Sequence, residues 1–75
     1  MKKEILEIAA QTLHISAEDA QKYYKKVDGI NAYYFWNPVR GGLAVIVSDQ
    51  GEKLAATSSI SYEKHLQAFL DGNRN

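Results

Sequence analysis

An α+β fold, with two N-terminal helices, a three-stranded antiparallel meander and one C-terminal helix, is what three features of this 75-residue chain predict. Apolar residues recur at helical spacing near both ends, the middle is a run of aromatic and β-branched residues, and glycine-containing turns divide that run into strands. Residues 1–75 are expected to form a single domain, because a chain this short supports only one hydrophobic core.

In the first predicted helix, Lys2 to Leu13, the residues Ile5, Ile8, Ala9 and Leu13 fall on one face, and Leu6 and Ala10 widen the stripe. Ser16 then offers a hydroxyl to the free amides of a second helix, Asp19 stands at the acidic position of a capping box, and Ile15 can pack on Ala20. Glu18 and Asp19 at its start and Lys25 and Lys26 near its end suit the helix dipole. The spacing of Ala17, Ala20, Tyr24 and Val27 predicts that this helix continues until Asp28-Gly29 caps it.

Ala32-Tyr33-Tyr34-Phe35-Trp36 is the first predicted strand, because such bulky residues favour a pleated backbone. Pro38 cannot donate to a sheet ladder and Gly41-Gly42 frees the chain, so Asn37 to Gly42 reads as a loop. Leu43 to Ser48 is the second strand, Asp49-Gln50-Gly51 a tight turn, and Lys53 to Ser58 the returning third. Ser61 caps a last helix whose apolar side is Tyr62, Leu66, Phe69 and Leu70, and Gly72 ends it. The helices are expected on one face of the meander.

Several function classes are disfavoured from composition and motif. Nine basic and nine acidic residues cancel and are interspersed, which leaves no basic field to drive nucleic-acid binding. The longest apolar run, Leu43 to Val47, is strand-sized, far below the roughly 20 residues that cross a bilayer, so no membrane partner is expected. Met1-Lys2-Lys3 is followed at once by Glu4 and Glu7, unlike a signal peptide. The chain has no cysteine, which removes disulfides and thiolate metal sites and points to the cytoplasm.

Neither catalysis, a metal nor a cofactor is expected. His14 and His65 are far apart in sequence and have no cysteine companions. Ser61 and His65 lie four apart on one helix face, nominally a nucleophile and a base, yet helix capping explains Ser61 and no oxyanion hole or orienting acid accompanies the pair.

The feature that calls for a function is the aromatic strand. Alternation puts Tyr34 and Trp36 on one face and Tyr33 and Phe35 on the other, while Leu43, Val45 and Val47 oppose Ala44 and Ile46 in the next strand. Both sheet faces are therefore apolar. Helices on one face leave the other as a protein-contact surface, filled by a second copy of the chain or by another protein; the expected contact residues are Tyr33 and Phe35 from one face and Trp36 from the other. The competing arrangement wraps both faces in helices and makes every ring core.

Arg40, Gly41 and Gly42 extend the expected site, because a guanidinium beside bare glycine amides can form an anion nest, although any loop leaving a strand uses the same residues. No Gly-Lys-Ser/Thr follows, so this is not a nucleotide-hydrolase loop. A second expected site is a small-ligand pocket between sheet and last helix, with Tyr62 and His65 at its edge.

The succession of Tyr34-Phe35-Trp36, a glycine turn, Ala44-Val45-Ile46-Val47-Ser48-Asp49, a hairpin at Gly51 and the Ser61-Tyr62-Glu63 helix start resembles small bacterial proteins of the YrhB type. That resemblance implies an immunity protein that masks a toxin, with no catalytic residue of its own.

Overall fold

The computed structural model describes residues 2–38, 42–57 and 59–74. Its elements run α1 (Lys3–Leu13), α2 (Ala17–Lys22), β1 (Tyr24–Lys26), β2 (Ala32–Trp36), β3 (Leu43–Ser48), β4 (Lys53–Thr57) and α3 (Tyr62–Leu70). The strands form one antiparallel sheet in sequence order. The α+β class holds, but two details differ from expectation. The sheet has four strands instead of three, and helices cover both of its faces instead of one.

The extra strand takes the end of the expected second helix. α2 stops after Lys22, and Tyr23, at φ −114° and ψ 64°, turns the chain out of the helix. Tyr24, Lys25 and Lys26 then pair with Phe35, Tyr34 and Tyr33. Trp36 N–H donates to Tyr23 O at 3.2 Å and Val27 N–H to Ala32 O at 3.0 Å, so β2 is bonded along its length on that side. Left helical, the segment would have exposed this row of β2 backbone groups, a hazard that edge strands must manage. The new edge carries Lys25 and Lys26, both exposed, and charged edges resist further strand addition. Gly29 consequently serves a hairpin connection and not a helix cap, at φ +85° where a side chain would be strained.

The helix starts follow the sequence. Ser16 Oγ accepts from Asp19 N–H at 3.0 Å and Ser61 Oγ from Lys64 N–H at 3.3 Å. α1 ends without glycine: His14 takes the left-handed conformation at φ 58°, while Ile15 N–H donates to Ala10 O at 3.0 Å and His14 N–H to Gln11 O at 3.4 Å. This is the paired bonding of a Schellman stop, executed by a residue whose Cβ resists it. His14→Gly is therefore expected to stabilise the fold by about 0.5–1 kcal/mol, read as a higher urea midpoint with unchanged slope.

Two cores result, one on each side of the sheet. On the first, Ile5, Ala9, Ala10 and Leu13 of α1 and Ala20 of α2 pack on Phe35, Val45 and Val47. On the second, Phe69 of α3 packs with Val27, Ala32 and Ile46, while Tyr34, Leu54 and Leu66 close around them. β3, central and buried at Ala44 through Val47, serves both, which explains its nearly continuous apolar sequence.

Candidate functional site

Sheet register decides which rings can meet. Lys25, Tyr34, Ile46 and Leu54 form one row across the four strands, pointing to the α3 side. Tyr33 and Phe35 point to the α1 side, so the expected trio of Tyr33, Phe35 and Trp36 is split between opposite faces.

Phe35 is 0% exposed, stacked on Tyr24 at 5.6 Å between centroids, and no partner reaches it. Its place in the contact surface is corrected: it is core. Tyr33 is half-buried against the same core, with Tyr24 at 6.1 Å and Lys26 Nζ 5.9 Å from its ring. Trp36 is partly exposed on the α3 side. Gly42 is half-buried just before β3, whereas Arg40 and Gly41 lie outside the described residues, and with them most of the expected anion nest. The start of that loop is anchored, because Asn37 Nδ2 donates to Leu13 O at 3.0 Å and ties it to the end of α1.

Around Trp36 the structure collects rings that the sequence scatters. Tyr23 meets Trp36 edge-on at 6.3 Å, Trp36 meets Tyr34 at 5.9 Å, and Tyr34 meets Tyr62 of α3 edge-on at 4.9 Å. Lys25 Nζ caps the array 3.8 Å from the Tyr62 centroid and 5.9 Å from that of Tyr34. All four rings are partly exposed. Among the described residues Tyr23, Trp36 and Tyr62 belong to neither buried core, since α3 lies over β3 and β4 and reaches only as far as Tyr34. Sequence reasoning missed Tyr23 and Lys25, because it placed them on a helix. The signal was present: in Tyr23-Tyr24-Lys25-Lys26-Val27, every second residue, Tyr23, Lys25 and Val27, faces α3.

The hydroxyls of two of these rings hold their protons more tightly than the ordinary tyrosine value of 10.0. Burial is the main cause for Tyr34, followed by Tyr62 beside it. For Tyr62 burial again leads, followed by the carboxylates of Asp28 and Glu63. The native state thus keeps protons that the unfolded chain releases above about pH 10, so stability is full below that value and falls as pH rises beyond it. Tyr34→Phe and Tyr62→Phe are each expected to flatten this alkaline loss, which urea midpoints taken at about pH 9 and about pH 11 would show.

His65 is turned into the protein against β4 and Tyr34. It is 2% exposed, its Nε2–H donates to Leu54 O at 2.7 Å, and its ring stands edge-on to Tyr34 at 5.7 Å. Because a carbonyl only accepts, the proton sits on Nε2, and Nδ1 is buried without a partner among the described residues. Ser61 Oγ is engaged as the α3 cap. His14 is exposed at the far end of α1, and no cluster of three or more metal-ligating side chains forms among the described residues.

Beside His65 an apolar groove of about 460 Å³ runs between β4 and α3, walled by Leu54, Ala56, Ile60, Lys64 and Ala68. It corresponds to the pocket expected between sheet and last helix; His65 lines it, and Tyr62 faces the aromatic array instead. No helix among the described residues is long and apolar enough to cross a membrane.

No family model matches the chain, and no curated protein or solved structure is similar to it at a significant level.

Proposed function

We propose that this domain is a protein-binding module whose contact surface is the aromatic array of Tyr23, Trp36, Tyr34 and Tyr62. The observation that carries the reading is that Trp36 and Tyr23 join neither core although the sheet is otherwise covered on both sides. Rigid, partly exposed tryptophan and tyrosine rings with polar tips are the side chains that dominate protein interfaces, because they bury much area for little lost freedom. The partner is held by steric masking, with no chemistry of the domain's own, which is the immunity-type role that the YrhB-like outline implies. A second copy of the chain is the other occupant of the same surface.

The experiment is affinity capture from native lysate with three baits: the natural chain, Trp36→Ala and Tyr33→Ala. Tyr33 serves as control because it lies on the opposite face. A stoichiometric companion lost with Trp36→Ala and kept with Tyr33→Ala supports the reading, and equal capture by all three refutes it. If purified chain elutes as a dimer that Trp36→Ala dissociates, the companion is a second copy.

The groove beside His65 favours a second reading, a small apolar ligand between β4 and α3. A ligand that binds only the native state raises the melting temperature, so a thermal-shift screen with apolar metabolites separates the two readings.

A further inference from the structure

The aromatic array already holds a cation over its rings. Tyr34 and Tyr62 meet at 89°, their centroids 4.9 Å apart, and form a corner. A cation already sits in it: Lys25 Nζ lies 3.8 Å from the centre of the Tyr62 ring. Aromatic faces are negative in their quadrupole and attract ammonium and guanidinium groups. The carboxylates of Asp28 and Glu63 bear on the same ring, and neither is ion-paired among the described residues, where the one salt bridge is Arg74 with Glu52. The ring faces are what draws a cation to this corner, and Lys25 shows that they hold one.

Lys25 is a replaceable occupant. It is exposed, stands on the three-residue edge strand β1, and has ring contacts but no ion pair among the described residues. An incoming guanidinium would fit the corner better, because it stacks flat on a ring and can bond a carboxylate through two N–H groups at once.

We infer that the Tyr34–Tyr62 corner receives an arginine side chain of the protein partner, and that Lys25 holds this seat in the free domain. The inference rests on the aromatic array being the contact surface. It deepens that reading by giving the partner's contact segment a basic character.

The probes are two synthetic peptides of equal length, one Gly/Arg and one Gly/Glu, titrated into isotope-labelled protein while ring resonances are followed. Lys25→Met keeps the apolar stem and vacates the seat. It should bind the arginine peptide at least several-fold more tightly than the natural chain, with the largest shifts at Tyr62 and Tyr34, and should ignore the glutamate peptide. Lys25→Gln is the companion variant and should show the same gain. Adding Tyr62→Leu to either should abolish it, in a chain whose spectrum remains dispersed. Unchanged affinity for the arginine peptide in both lysine variants, or preference for the glutamate peptide, overturns the inference. If that happens while Trp36→Ala still loses the natural companion, the surface stands and the arginine seat alone is wrong. Tetramethylammonium bound as tightly as the peptide would also overturn it, by showing a small-cation site instead of a partner contact.

Discussion

Phe35→Ala is expected to remove a large share of the stability of this domain. The ring is 0% exposed, stacked on Tyr24, and packed among Ile5, Ala9, Leu13, Val45 and Val47, so truncation loses its burial and leaves a cavity where two helices meet the sheet. Such changes cost about 3–5 kcal/mol. A chain of 75 residues has a total stability of only roughly 4–11 kcal/mol at the usual value per residue. Urea denaturation should show a steep fall in the midpoint, with Phe35→Leu retaining most of the natural value. An Ala variant as stable as the natural chain would mean that α1 and α2 do not sit on this ring.

The next residue should behave in the opposite way. Trp36→Ala is expected to leave a folded domain, because the side chain is only partly buried and belongs to neither core, yet to cost about 2 kcal/mol or more of partner affinity. That corresponds to roughly a thirtyfold rise in Kd. The contrast has a simple origin: neighbouring residues in a strand point to opposite faces, and here α1 and α2 close over Phe35 on one face while the other is roofed only as far as Tyr34. Isothermal titration against the captured companion, run beside a urea curve for the same variant, separates the two quantities. Loss of fold with Trp36→Ala, or unchanged affinity, would contradict the assignment.

Local chemistry announced α1, β2, the β3–β4 hairpin and α3, because each is written in a short stretch: an apolar stripe, a bulky run, a glycine turn, a serine cap. Residues 23–27 were ambiguous for a physical reason. Lysine favours helices, the apolar spacing of Tyr24 and Val27 fits a helical face, and the same residues alternate well enough for a strand. What decides between them is the unsatisfied backbone of β2, a partner distant in sequence that propensity does not register.

The same non-local step governs the site. Trp36 was legible as a large ring on a strand, but its neighbourhood was not, since Tyr23 arrives from the turn after α2, Lys25 through β1 and Tyr62 through the return of α3. Phe35 shares Trp36's strand and bulk, and what sets it apart is that α1 and α2 close over it. With α3 added on the other side, both faces are covered, and the surface that remains is smaller than an open sheet face and, besides β2, includes residues from β1, α3 and the link between α2 and β1.

Site-specific photo-crosslinking in the native cells tests that remaining surface most directly. A photoreactive phenylalanine at position 36 should yield one discrete adduct, and the same group at position 33, on the α1 side, should yield none. Equal adducts from both positions, or an adduct from 33 alone, would place the partner elsewhere on the molecule.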